Sequence, residues 1–498
     1  MATIDSTGTD ASRGPRLQRT DANEVRFSLV AFVLATLVLA AALPILLVTT
    51  IDDVHRSDAW PLTLGIFIWS GLRIAWLIGT GRPRLFEFAW WLYVYVFMGL
   101  APTVQIRSGL FPGTTPGTDP DLDSATAWVV AIGIVAFELG AWFARLRNRN
   151  RPSQHERRFI AVSGRKGVLV TIIGIALSVY LISRIGLGNL FLSRSSSAAA
   201  RTEAFTSGSV LTIVNSLAIW GTLIGIHTLT WARRARKALG LRPHHGVLIL
   251  VALLVLLVFK NPISSARYTF GVIAVSLIVL LGAFATAPRV RASMAGIMVA
   301  LFGIFPIADA FRRDTVTISR GGFFDEYGAT ADYDSFAQIS NTIAYVNEHG
   351  VAVGQQLLGV VLFWVPREVW PGKAIDTGAL LANYRGYRFT NLSAPTWAEL
   401  YINGGMILLV VGMILIGFGF IQLDRQLESV FRAGGLWAIA GAILPFYMLL
   451  VLRGSLLQAA STIAVMVVLI WFVKDRSRAA PELKTTARGR SGRGIDRS

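Results

Sequence analysis

Residues 27–49 read FSLVAFVLATLVLAAALPILLVT, a stretch without a single charged side chain. A helix of about 20 apolar residues is long enough to cross the hydrocarbon core of a bilayer. The stretch is too long for the apolar centre of a secretory signal. Although Ala40-Ala41-Ala42 resembles a cleavage site, it reads as an uncleaved anchor. Runs of the same kind recur near 61–79, 86–106, 124–144, 167–185, 208–231, 245–259, 265–285, 292–309, 404–422, 434–452 and 454–473. The composition agrees. Of 498 residues 53% are hydrophobic and only 15% charged, with a mean hydropathy of +0.56, whereas soluble domains carry roughly 25% charged residues. The expected fold is therefore all-α: a polytopic membrane protein of about 12 transmembrane helices, with a long external loop between the ninth and tenth.

The loops test this assignment. Even-numbered connections hold Arg82 and Arg84, then Arg145, Arg147, Arg149, Arg151, Arg157 and Arg158, then Arg233, Arg234, Arg236, Lys237 and Arg242. Odd-numbered ones are poorer in cations and hold acids such as Asp52, Asp53, Asp58, Asp119, Asp121 and Asp123. Short cytoplasmic loops accumulate Lys and Arg, so both termini are expected in the cytoplasm, with the chain in the cell (plasma or inner) membrane. The expected organisation is a cytoplasmic tail over 1–25, a membrane domain over 26–473 that includes the external loop 310–403, and a basic, disordered cytoplasmic tail over 474–498 that either binds anionic lipid or serves only as a topology signal. The net charge of +18 follows from that loop bias and implies no nucleic-acid partner.

Two charges lie inside spans. Arg73 and Glu138 each sit about six residues from the expected cytoplasmic end of their helix, about 9 Å deep at 1.5 Å per residue. Equal depth and opposite sign point to a structural pair. No chain of acids and histidines continues across the membrane as a proton path would require.

There is no cysteine, and only His244 and His245 of six histidines are close together. Thiolate chemistry is excluded, and no spacing suggests a metal site, so no metal and no cofactor is expected.

The long loop has internal order. Phe336, Ile339, Ile343 and Val346 recur at helical spacing between Asp334 or Ser335 as a cap and Gly350 as a stop, which predicts an amphipathic helix lying on the membrane surface. GQQLLGVVLFWV, residues 354–365, is too short to span and reads as interfacial or re-entrant. PREVWPGKAIDTG (366–378) and NYRGYRFTNLSAPTWAELYINGG (383–405) follow. Arginine forks grip phosphate oxygens and aromatic faces stack on sugar rings, while Trp and Tyr also favour any membrane interface. Both readings of the loop stand on residue chemistry alone. Lys260, Arg267 and Arg453 add cations at short external turns, either for an anionic ligand or snorkelling to lipid phosphates.

FWVPREVWPGK (363–373), AELYINGG (398–405) leading into a span, SSARYTFG (264–271) and LRGSLLQ (452–458) together resemble the bacterial oligosaccharide repeat-unit polymerases, the O-antigen polymerase (Wzy-type) family. The resemblance covers about residues 260–460 in detail and the rest as topology. It implies a glycosyltransferase that moves a growing glycan from undecaprenyl pyrophosphate to a sugar hydroxyl of another lipid-linked repeat unit, without metal or nucleotide sugar, beside membrane lipids and other polysaccharide assembly proteins. In that picture Arg267, Arg312, Arg313, Lys373, Arg385 and Arg453 bind substrate and Arg367 stabilises the departing pyrophosphate. Glu399 or Asp376, with His349 weaker, takes the acceptor proton. The rivals are a lipid-linked oligosaccharide flippase, against which the absence of matching halves counts, an O-antigen ligase-like transferase, and a non-enzymatic structural partner.

Overall fold

The computed structural model describes residues 26–149, 160–192, 208–263, 265–304, 322–427 and 430–475. Arg312, Arg313 and nearly all of both expected tails lie outside the described residues. Within them the chain is helical, with one isolated bridge between Val162 and Lys474 and no strand.

Each expected span overlaps a helix among the described residues, the ninth (292–309) only as far as Ile304. α1 is Leu29–Thr50, α2 Trp60–Thr80 and α3 Leu85–Arg107. α4 is Asp123–Arg149, α5 Gly164–Ile185, α6 Gly208–Ala238, α7 Gly246–Phe259, α8 Arg267–Leu280 and α9 Ala287–Val299, which continues as a wider turn to Ile304. Within the long loop come α10 Ser335–His349, α11 Gln355–Val361 and α12 Thr377–Arg385. α13 Thr396–Leu427, α14 Leu436–Arg453 and α15 Leu456–Phe472 complete the chain. Among the described residues eight helices, α1 to α6, α13 and α14, are long and apolar enough to cross a membrane, while α7, α8 and α15 are apolar but shorter.

Local chemistry explains the irregular helices. α1 and α3 each widen into a π segment, Leu37–Ala42 and Val94–Leu100, immediately before Pro44 and Pro102. Proline removes one ladder donor and crowds the preceding turn, and a wide turn absorbs both. α13 kinks at Gly404 and Gly405. The latter has φ +61°, a left-handed conformation that glycine adopts without strain. The kink separates Thr396–Asn403 from the long apolar remainder, where the sequence places the start of the tenth span.

α3 lies at the centre and is buried along its whole length. α4 packs tightly on α13, because a β-carbon at Gly140 would collide with the Ile414 carbonyl and one at Gly417 with the Phe137 carbonyl. Small residues at such crossings let two backbones approach, which is how helices associate where water supplies no driving force. Along α3 the rings of Trp90 and Phe137 stack at 3.9 Å and those of Trp90 and Trp397 at 5.0 Å.

The connections separate into two ends. At one, the loop end, Arg385 donates to the carbonyl of Gly117, Gln105 to those of Tyr327 and Tyr333, and Ala394 N–H to Arg453. At the other, the tail end, Leu436 N–H donates to Ile160 at 3.0 Å and Ser163 N–H to Val473 at 2.9 Å. Arg73 and Glu138 pair at 2.7 Å near this tail end.

The α10 expectation needs correction. Its bounds agree, but Ser335 through Ile343 are buried on every side, so the helix is part of the interior rather than a surface float. Phe336, Ile339 and Ile343 belong to the core, and the helix packs against α4, α12 and α13. Asp334 does not cap it through its side chain. That carboxylate is engaged elsewhere.

Candidate functional site

The loop end holds the sequence-predicted residues, and their contacts sort them into three groups. Arg267 opens α8, and its side chain is buried. It bonds Glu326 at 2.8 Å and also Asp332, while the Tyr333 hydroxyl donates to Glu326 at 3.3 Å. Arg453 closes α14. Its Nε donates to the Asp332 carbonyl at 3.0 Å, and its Nη2 to Asp334 Oδ1 at 3.4 Å. Asp334 Oδ2 accepts from Ser393 N–H at 3.1 Å. Burial pushes the Asp334 carboxyl up from its ordinary range, and Arg453 beside it pulls it back. Two guanidiniums thus meet three carboxylates in one network, bridged by Asp332.

Directly below lies an apolar crevice of about 140 Å³, lined by Val96, Phe97, Tyr268, Val275, Leu301 and Leu450 among others. Val275, Leu301 and Leu450 are only partly buried, so the crevice opens through the wall of the bundle. Tyr268 belongs to both places. It lines the crevice, and the Arg453 guanidinium sits 5.5 Å above its ring, within cation–π range.

The second group is the 363–374 segment, which closes on itself. Arg367 donates to the carbonyls of Lys373 at 2.6 Å and Ala374 at 2.9 Å. Lys373 Nζ donates to those of Phe363 at 2.7 Å and Val365 at 2.8 Å. Partial burial, and the Arg367 charge after it, lower the Lys373 ammonium below its usual range. The two cations that the sequence reading assigns to one phosphate here hold one loop, with Val369 and Trp364 exposed beside them.

The third group is carboxylate. Glu399 is buried and uses both oxygens. One accepts from Thr377 Oγ at 2.9 Å, the other from the Leu456 N–H at the start of α15, also at 2.9 Å. It ties α12, α13 and α15 together. Asp376 caps α12 with one oxygen, accepting from Ala379 N–H at 3.1 Å. Its other oxygen is buried and has no hydrogen-bond partner among the described residues. Nearby Gln338, wholly buried on α10, has neither amide atom paired among the described residues, and the same holds for the hydroxyls of Ser340 and Thr396. Buried polar atoms are ordinarily satisfied, so this layer between α10 and α13 is unusual. His349 lies apart, stacked on Tyr345 at 4.6 Å near the exposed end of α10.

The structure therefore brings Arg267, Arg453 and, through Leu456, Glu399 into one region. It pairs Arg367 with Lys373, sets Asp376 one residue from the Glu399 ligand Thr377, and leaves Arg385 on the carbonyl of Gly117. Sequence reasoning missed Glu326, Asp332 and Asp334 as partners and Tyr268 and Gln338 as site residues. The only signal for Tyr268 is its place beside Arg267, and α10 offers a polar stripe that its apolar periodicity overshadows. Among the described residues no group of His, Asp and Glu has the arrangement of a metal site. No protein-family model, curated protein or solved structure matches the chain.

Proposed function

We propose that this protein is a lipid-linked oligosaccharide polymerase, a metal-independent glycosyltransferase acting on undecaprenyl-pyrophosphate-linked repeat units at the outer face of the cell membrane. About twelve membrane crossings and cytoplasmic termini belong to this reading. The observation that carries it is the double role of Tyr268, which joins the apolar crevice to the Arg267–Arg453 network. A polyprenyl chain needs an apolar groove and its diphosphate needs guanidinium donors just beyond it. The motif resemblance of residues 260–460 supports the same chemistry.

In this mechanism Arg267 and Arg453 exchange carboxylate partners for phosphate oxygens, and Arg312 and Arg313 are further cations proposed for the same substrate. The acceptor sugar hydroxyl attacks the anomeric carbon of the growing glycan. The bond from that carbon to the phosphate oxygen breaks, and undecaprenyl pyrophosphate leaves with the electron pair. Asp376 takes the hydroxyl proton on its unpaired oxygen. Glu399, both of whose oxygens are engaged, positions α12 and α15 rather than reacting. Arg367 and Lys373 keep the rim of the site in shape.

The test is reconstitution in lipid with lipid-linked repeat units in the presence of EDTA, with product length read on a gel. The wild type makes a ladder of polymer. Asp376→Asn keeps an oxygen for the α12 cap but cannot accept the proton, so turnover falls about 10²–10⁴-fold with membrane abundance unchanged. No elongation by the wild type, or activity restored only by a divalent ion, refutes the reading. A wild-type rate in Asp376→Asn removes Asp376 as the base.

A further inference from the structure

At the loop end the last turn of α10 and the end of α12 meet through their rings. Tyr345 and His349 stack nearly parallel, at 4.6 Å and 6°. The Tyr384 ring stands edge-on to both, 5.4 Å from each. Its hydroxyl donates to Glu348 Oε2 at 2.7 Å. One turn back along α10, Asn341 Nδ2 donates to the Tyr387 hydroxyl at 3.5 Å. The cluster stands where α10 leaves the interior. Ser335 through Ile343 are buried, whereas Tyr345, Tyr384 and Tyr387 are half-buried and His349 is exposed. Asn347, Glu348, Asn383 and Arg388, all exposed, make a polar rim in sequence beside the rings.

Such a surface has apolar faces and polar edges. A pyranose ring has the same division: its axial C–H groups make an apolar face, and its hydroxyls surround the edge. Aromatic faces take the first. Phenol, amide and carboxylate groups, which between them donate and accept, take the second. An anionic ligand is opposed by Glu348, which is bonded into the cluster, and a lipid tail would have to strip water from the polar rim. The place of the cluster matters as well. α10 begins beside Asp334, which holds Arg453, and at 1.5 Å per residue its other end lies about 20 Å along the helix axis. A glycan held at the Arg267–Arg453 network by its diphosphate end spans that distance with several sugars.

We infer that the Tyr345–His349–Tyr384 cluster is a carbohydrate-binding platform that holds an uncharged sugar of the glycan several units from the reacting end. The sugar lies on an aromatic face, with the Glu348 carboxylate and the Asn347 amide at its hydroxyls. The inference rests on the polymerase reading for the presence of a glycan at this end of the bundle. Its consequence is retention. A chain held at two points re-engages the reacting site as an intramolecular event, at a high effective concentration.

Calorimetric titration of the purified full-length protein in phosphatidylcholine nanodiscs tests it. The probe is size-fractionated oligosaccharide released by mild acid from the envelope of the cells that make the protein. The wild type should bind fragments of several sugars. Each of Tyr345→Ala, Tyr384→Ala and His349→Ala should weaken that binding about tenfold, the loss of one aromatic contact. Tyr345→Phe keeps the ring face and should bind as the wild type does. His349 is exposed, so His349→Ala keeps the test decisive where loss of a tyrosine unfolds the protein. A wild type that binds no fragment, or a His349→Ala variant that binds as tightly as the wild type, overturns the inference. The polymer ladder in EDTA is read on the same preparation. Binding that falls in the variants without any wild-type ladder removes the polymerase reading and upholds the platform, and a wild-type ladder with binding unchanged in the variants does the reverse.

Discussion

Both ends of the bundle gather arginines, but they treat them differently. At the loop end the positive groups are matched or immobilised: Arg267 and Arg453 by Glu326, Asp332 and Asp334, and Arg367 and Lys373 by backbone carbonyls of their own segment. At the tail end four arginines line a cavity, and two of them, Arg73 and Arg145, share Glu87 and Glu138. Desolvation accounts for the contrast. The loop-end guanidiniums sit under the loop, where an unmatched charge costs several kcal/mol. The tail-end ones line an opening where solvent or a headgroup carries part of the load. A closed network is a device for holding a fold and for exchanging one partner at a time.

The largest expected effect lies in the closed network. Arg267→Ala leaves Glu326 without this cation and Asp332 with the more distant Arg453 at 3.8 Å, and breaking a buried pair from one side costs about 3–5 kcal/mol. A melting curve in detergent should shift strongly downward. Arg267→Ala combined with Asp332→Ala and Glu326→Ala should recover part of the loss, because the stranded charges go with it. A single variant that melts with the wild type would show that the loop end is not locked by charge.

Next is the cap between the ends of two central helices. α3 begins at Leu85 without a side-chain cap of its own, and Asp424 supplies one from α13. Removing a capping carboxylate costs about 1–2 kcal/mol. Asp424→Ala should therefore melt below the wild type but above Arg267→Ala, and Asp424→Asn, which keeps one acceptor oxygen, should fall between. Equal melting of Asp424→Ala and the wild type would mean that the start of α3 is held by packing alone.

These two cases mark the limit of what the sequence discloses. Apolar runs gave the helices away because lipid imposes one length on them, and equal depth gave away the Arg73–Glu138 pair. Glu87 went unread because it sits at the edge of an apolar run and pairs with residues of two other helices. The Asp424 cap joins positions 337 and 338 residues apart, a distance over which no local spacing rule reaches. Arg267 and Arg453 were legible as misplaced cations, but their acids lie 59 to 121 residues away. The burial of α10 was illegible for a different reason. Phe336, Ile339 and Ile343 make the same stripe whether the helix floats on a membrane or packs in a core, and only the unpaired Gln338 distinguishes the two once the surroundings are known.

The smallest effect sharpens the comparison most. Arg82 is exposed at the rim of the tail-end cavity, and exposed ion pairs contribute little to stability. Exposed substitutions away from buried networks shift stability by about half a kcal/mol or less. In phosphatidylcholine alone, Arg82→Ala should melt with the wild type. The loop end gives the opposite pattern: Arg267→Ala should melt well below the wild type in the same lipid, because its partners are carboxylates inside the protein. If Arg82→Ala lost as much stability as Arg267→Ala in uncharged lipid, the tail end would be a closed network like the other, and the distinction between the two ends would fail.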